Sequence, residues 1–231
     1  NGYNSNRPED QCRTVPEDSE GDGHRSQSVS HIMAVFCKPM FFIVVLLGVV
    51  IHYTHQVFLS IIVDSAIDRG MSLDTASSLL VYTSLTDFIG ALGLPLFADK
   101  KVLRRSTLVM CCHVSLGVCL TLFPVVTSIP VFVLVSLLVA MLASALITMK
   151  SVMMADYLGV EMIPMCFAAT GIASIPLFLW NPAIVGLFRD EMGSYDNLYR
   201  LAGGMNFFMA LLFFGVFLWE HRSREGWTSL N

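Results

Sequence analysis

Six long apolar stretches follow a polar N-terminal segment and dominate the hydrophobic pattern of the chain. Each has at least about 18 residues, enough for an α-helix to cross a hydrocarbon core of about 30 Å. Strict alternation of apolar and polar residues, the pattern of a membrane β-barrel, is absent from the sequence. The pattern therefore predicts an all-α membrane protein with six transmembrane helices in a lipid bilayer. The stretches are Met40–Val63, Thr75–Phe97, Thr107–Val126, Pro130–Met153, Ile163–Leu187 and Leu201–Trp219.

The polar segment over residues 1–38 is rich in Asp, Glu, Ser, Gly and Pro and has few aliphatic residues. Such a segment buries too little apolar area to offset its ordering entropy, so we expect it to be disordered. The predicted six-helix bundle follows over residues 39–220, and a short polar tail over residues 221–231 ends the chain. The first residue is Asn1 rather than Met, which is a hint that the chain is part of a longer protein.

Composition narrows the class of protein further. Charged residues make up 14% of the chain, against about 25% in a soluble domain. The net charge of −4 gives no reason to expect a nucleic-acid partner. The cysteines show neither a disulfide framework nor a zinc spacing, so we expect no metal and no cofactor. Enzyme motifs such as GxSxG, HExxH or a phosphate-binding loop are missing, and an enzyme is not expected.

Lys and Arg are unevenly distributed between the two sides of the predicted bundle. With six spans, ten cations lie on one side of the membrane and three on the other. Because cytoplasmic segments carry the excess of Lys and Arg, both termini are predicted to be cytoplasmic. The run "KKVLRR" then anchors the second loop at the cytoplasmic face, either as a topological signal alone or with a further role. The ten are Arg7, Arg13, Arg25, Lys38, Lys100, Lys101, Arg104, Arg105, Arg222 and Arg224; the three are Arg69, Arg189 and Arg200.

Two loops on opposite predicted faces resemble each other. "GLPLFADKK" follows the second stretch and "NPAIVGLFRDEMG" the fifth; both contain Pro and then Leu-Phe-x-Asp, ending at Asp99 and Asp190. Such weak internal symmetry is typical of the inverted three-plus-three repeat of secondary transporters. A chance match is the alternative.

Several motifs together resemble the monocarboxylate transporter family of the major facilitator superfamily. "RGMSLDTASSLL" and "TDFIGALGLPLFAD" are similar to the family's eighth helix and its entry, and "ADYLG" is similar to the end of the tenth. Three segments of this chain are similar to the family's signature at and after the end of the eleventh helix. They are Asn181-Pro182-Ala183, "GLFRD" ending at Asp190, and Gly193-Ser194-Tyr195-Asp196. The resemblance covers the chain from about Lys38 to Trp219.

This resemblance implies that the six helices are helices seven to twelve of a twelve-helix carrier, whose N-terminal six-helix half is missing here. It implies a plasma-membrane symporter of small monocarboxylates or related organic anions, coupled to protons. Family members often need a single-span accessory glycoprotein, and that partner is an expectation for this chain as well. A multi-span receptor, channel or accessory scaffold without transport activity is the alternative, although no selectivity filter is evident in the sequence.

Asp87 lies near the middle of the second stretch, where a carboxylate costs on the order of 3 kcal/mol on insertion scales. Such an acid is typical of a protein interior or a water cavity, and burial favours proton exchange in a useful pH range. The family pairs this aspartate with an arginine four residues on, but here that position is Ala91. The alternative is a structural carboxylate bonded to Thr83, Ser84 or a neighbouring helix.

Other polar residues in the apolar stretches are candidates for the substrate path. Lys150 either partly replaces the missing arginine or extends its stem to the interface, since it lies well along its helix from the midplane. His52 and His55, one turn apart, either line a cavity, bond to other helices or relay a proton. Phe178 and Trp180 are candidate lining residues.

Glycines and prolines are predicted to interrupt two of the helices. Gly90, Gly93 and Pro95 are expected to break the second helix, and Pro176 and Pro182 the fifth. Kinks of this kind suit a rocking carrier, and close packing without gating is the alternative.

Overall fold

The computed structural model describes residues 38–99 and 104–228, and in these residues it contains helices and turns but no strand. The expected disorder of residues 1–37 and the cations Lys100 and Lys101 lie outside the described residues. The helices are α1 (Pro39–Asp68), α2 (Leu73–Asp99), α3 (Arg105–Leu122), α4 (Ile129–Leu158), α5 (Ile163–Gly186) and α6 (Asp196–Thr228). Short 3-10 turns follow α3 and precede α5, and a π-helical turn, Leu187–Glu191, extends α5.

Five of these helices, α1 and α3–α6, are long and apolar enough to cross a membrane. The prediction of an all-helical membrane protein is confirmed at that level. Helix α2 is also long, with 27 residues, and carries Thr83, Ser84, Thr86 and Asp87 near its middle. Its membrane crossing stays a prediction.

Both predicted helix breaks are wrong, whereas the predicted kinks stay a prediction. Helix α2 runs without interruption through Gly90, Gly93 and Pro95, and α5 through Pro176 and Pro182. A broken helix in a bilayer would expose unpaired backbone groups, so a single proline is accommodated within the helix instead. The irregularity of α5 comes only afterwards, in the π-helical turn.

The same helix pairs are in contact when α1, α2 and α3 are exchanged with α4, α5 and α6, respectively. Helix α1 packs against α5 as α4 packs against α2, and α1 packs against α6 as α4 packs against α3. The pair α1–α2 corresponds to α4–α5, and the pairs α1–α4 and α3–α6 map onto themselves. The packing of the described helices therefore has the pattern that a two-fold related pair of triplets would produce.

Polar contacts tie helix ends together at both ends of the bundle. We call the end where α1 begins the inner end and the other the outer end. At the inner end, Arg105 donates to Asp156 over 2.7 Å. At the outer end, Arg189 pairs with Asp68, and the Tyr195 hydroxyl donates to Asp64 over 3.2 Å. These pairs fix how successive helices alternate in direction.

Candidate functional site

Lys150 is the most deeply buried cation among the described residues, with 1% of its surface exposed. It projects from α4 toward α1, where its Nζ lies 2.7 Å from Nε2 of His52. The same Nζ lies 4.5 Å from the ring centroid of Phe167 on α5. Gly48 of α1 leaves room for the lysine stem, since a Cβ there would lie 3.0 Å from Lys150 Cδ.

The interpretation that Lys150 extends to the interface is wrong. Its side chain is enclosed between α1, α4 and α5, and its ammonium reaches His52, 13 residues from the first and 16 from the last residue of α1. The stem thus runs toward the interior of the bundle.

No carboxylate of the described residues pairs with Lys150. The acids that form ion pairs in this part of the chain are Asp87, Asp156 and Asp68, and their partners are His55, Arg105 and Arg189. A buried cation without an anion is costly in a low-dielectric interior. The environment of Lys150 therefore favours a bound anion.

Asp87 faces His55 of α1. The His55 Nε2 lies 3.3 Å from one carboxylate oxygen and 3.4 Å from the other, and the two side chains are 19% and 22% exposed. The nearby hydroxyls of Thr83 and Ser84 instead donate to the Leu80 carbonyl within α2. Asp87 thus bonds to a neighbouring helix, in the direction of the bundle, and keeps part of its surface open.

The two polar pairs meet on one face of α1. Gly48, His52 and His55 follow each other at spacings of four and three residues, which places them on one side of a helix. Lys150 from α4 and Asp87 from α2 therefore approach adjacent turns of the same face. We call His52, His55, Asp87 and Lys150 the polar centre.

The exposed face of α1 changes character at the polar centre. Toward the inner end its exposed residues are Pro39, Phe42 and Leu46. Toward the outer end they are Gln56, Ser60, Asp64, Asp68 and one apolar residue, Ile67. The polar residues of the outer half recur every four positions, a spacing that is visible in the sequence. A polar face is costly against lipid, so this half of α1 favours contact with water.

Helix α4 has no continuous polar face of this kind. Its first half exposes Val131, Leu134 and Leu138. In its second half, which runs to the inner end, partly exposed Ser151 lies beside partly exposed Val152, and exposed Asp156 pairs with Arg105.

The two predicted aromatic candidates do not lie together. The Phe178 ring lies 6.4 Å from that of Tyr53 on α1, between centroids. Trp180 is 72% exposed and lies on the other side of α5, because two residues correspond to a rotation of about 200°. Phe178 thus contacts the helix of the polar centre, whereas Trp180 does not face it.

The remaining predicted motif residues are not part of the polar centre. Asp190 and Tyr195 lie at the outer end, and the Asn181 Oδ1 is buried without a partner among the described residues, beside Pro182 in α5. Gly90 contacts the α4 backbone, whereas Gly93 has open space around it. The side chains of Pro95 and Asp99 lie outside the described residues, so the predicted match of Asp99 with Asp190 stays a prediction.

Within the described residues, no group of three His, Cys, Asp or Glu side chains has the geometry of a metal site. The chemistry of the polar centre is therefore that of one cation, one carboxylate and two imidazoles. Comparison with protein-family models and with curated proteins finds no match to this chain.

Proposed function

We propose that this chain is one six-helix half of a major-facilitator-type secondary carrier that moves small monocarboxylates or related organic anions together with protons. The observation that carries the proposal is the buried ammonium of Lys150, which lacks a carboxylate partner among the described residues and lies mid-bundle beside the His55–Asp87 pair. A substrate carboxylate would supply the missing negative charge. The imidazoles and Asp87 would supply proton-binding groups within one or two helical turns.

The exchange pattern of helix contacts supports the inverted repeat. In such carriers, substrate sites lie near the bilayer midplane at the interface of the repeats. Helices α1 and α4, which pack against each other and carry His52 and Lys150, are equivalent members of the two triplets. Helix α2 corresponds to α5, and on this proposal α2 is the sixth membrane-spanning helix.

The exposure of α2 and α5 supports a second bundle on the flank of this one. Only 17% of the most apolar window of α5 is buried, compared with 39–56% for the other four candidate spans. Helix α2 buries a single narrow face, and its large exposed residues are Leu73, Leu80, Val81, Tyr82, Leu85, Phe88, Ile89, Leu92 and Leu96. On this proposal the missing N-terminal half packs between these helices and completes the cavity over the polar centre.

Uptake of radiolabelled L-lactate, acetate and pyruvate by cells that express the full-length protein tests the proposal. We expect saturable uptake that an acidic external medium stimulates. Vector-only cells are the control. Uptake that is absent for all three probes, or that rises linearly with concentration, would contradict an anion carrier and favour a receptor, channel or scaffold.

Asp87→Asn in the full-length protein is expected to reduce strongly the stimulation of uptake by an inward proton gradient. The amide binds no proton and removes the carboxylate that faces His55, 3.3 Å away. The measurement is initial uptake with acidic and with neutral external medium. Asp87→Glu keeps the carboxylate and is the matched control. An unchanged response to pH in Asp87→Asn would remove this residue from proton coupling.

The 231-residue chain reconstituted alone in liposomes is expected to give no saturable lactate uptake above protein-free liposomes. On the proposal, half of the cavity wall is absent, because α2 and α5 lack their partner. Co-reconstitution with the upstream half should restore uptake. Saturable flux through the chain alone would show that these six helices form a complete pathway.

A further inference from the structure

The contact between Lys150 and His52 constrains the protonation of the imidazole. An ammonium group has only donors, so the His52 Nε2 at 2.7 Å must accept the hydrogen bond with its lone pair. With Lys150 protonated, His52 in this arrangement is neutral and carries its proton on Nδ1. A proton added to Nε2 would remove the acceptor and place two cations side by side.

His52 also lies between Lys150 and the open face of α1. Lys150 is 1% exposed, whereas His52 is partly exposed on the face that continues into Gln56 and Ser60. On its other sides Lys150 meets Phe167 of α5 and the Gly48 backbone position of α1. An anion that arrives along the polar half of α1 would thus meet His52 before it meets the ammonium.

We propose that His52 controls access of the substrate anion to Lys150. Neutral His52 accepts the ammonium hydrogen bond and covers the cation. A proton taken from water onto Nε2 breaks that bond, and the imidazolium and the ammonium then both donate to the anion. Loss of the proton restores the lone pair, and His52 displaces the anion. One proton and one anion enter together, with no covalent change in either.

Other ionisable groups close to His52 are few among the described residues. On α1 the nearest is His55, one turn away, which pairs with Asp87 of α2. Helix α4 contributes Lys150 itself, and α5 contributes the uncharged Phe167 and Thr170. His113 of α3 bonds to Asn206 of α6, which in turn donates to Thr54 on another side of α1. The charged and titratable groups that face His52 are thus Lys150 and, one turn away, the His55–Asp87 pair.

The inference rests on the proposed function, and two substitutions of His52 in the full-length protein test it. His52→Gln keeps an oxygen that accepts from Lys150 but cannot take up a proton, so the cation stays covered at every pH. His52→Ala removes the cover. We expect KM for L-lactate to be about tenfold or more above the acidic wild-type value in His52→Gln. In His52→Ala we expect an intermediate KM, because Lys150 is uncovered but the imidazolium donor is absent. Neither variant should show the wild-type pH dependence of KM. His221→Gln, at an exposed histidine near the inner end of α6, is the matched control and should follow wild type.

Three results separate the two proposals. Wild-type uptake whose KM falls on acidification, together with a flat and high KM in His52→Gln, supports the inference. A His52→Gln variant that retains the wild-type pH dependence of KM overturns it and leaves the carrier proposal intact. Absence of saturable uptake in wild type is a failure of the carrier proposal.

A spectroscopic measurement decides the role of His52 without transport. In 15N-histidine spectra of the 231-residue chain, the His52 signal is assigned by its loss in His52→Gln. We expect an unprotonated Nε2 at neutral pH that shifts in Lys150→Met, because the donor is then absent. A protonated Nε2 at neutral pH, or a signal unaffected by Lys150→Met, would overturn the inference.

Discussion

Lys150→Met is expected to abolish measurable lactate uptake by the full-length protein and at the same time to make the protein more resistant to heat. A hydrogen bond to a charged group contributes about 1.5–3 kcal/mol, so removal of the ammonium should weaken anion binding by about 10- to 150-fold. Removal of a buried cation that has no carboxylate partner among the described residues relieves a burial cost, which should stabilise the fold by about 1–3 kcal/mol. The measurements are initial uptake and thermal unfolding of the purified protein.

The opposite signs of these two effects separate a functional role of Lys150 from a structural one. If the lysine were retained to hold α1, α4 and α5 together, Met would lower stability and uptake in parallel. Lys150→Arg is the control, because it keeps the charge with a larger, planar head that fits less well beside His52 and Phe167. We expect Arg to retain some uptake and no gain in stability. A destabilised Met variant would contradict the anion-site interpretation.

The apolar helices, and the position of Asp87 near the middle of one of them, were predictable from the sequence. Length and hydropathy locate apolar helices because the bilayer imposes both, and Asp87 stands out because a mid-span carboxylate is rare. The direction of the Lys150 stem was not predictable in this way. It depends on the space left by Gly48 on another helix and on the position of His52, and neither is encoded near Lys150 along the chain.

The effect of glycines and prolines was misjudged for a physical reason. Rules for helix breaking come from proteins in water, where an unpaired carbonyl can bond to solvent. A bilayer lacks that compensation, and α5, a candidate span, stays helical through Pro176 and Pro182. Helix α2 is likewise continuous through Pro95. By contrast, the polar face of Gln56, Ser60 and Asp64 could have been found from its four-residue spacing in the sequence.

The two glycines of α2 have different roles, and substitution by alanine should separate them. A Cβ at Gly90 would lie 2.1 Å from the carbonyl oxygen of Met141 and 2.4 Å from the Ser144 Oγ, both on α4. The first of these atoms is backbone and cannot move away by a change of rotamer. Gly90→Ala must therefore push α2 away from α4, at one of the two most extensive helix contacts in the described residues.

We expect Gly90→Ala to cost about 3 kcal/mol or more and to reduce the yield of folded protein severely. It should also displace Asp87, one turn away on α2, from His55. Gly93→Ala is the matched control: a Cβ there meets nothing within 4 Å, and alanine is the better helix former by about 0.5–1 kcal/mol. Thermal unfolding of the two purified variants measures the difference. Equal stability of the two would mean that α2 and α4 do not cross at Gly90, and the placement of Asp87 beside α1 would lose its support.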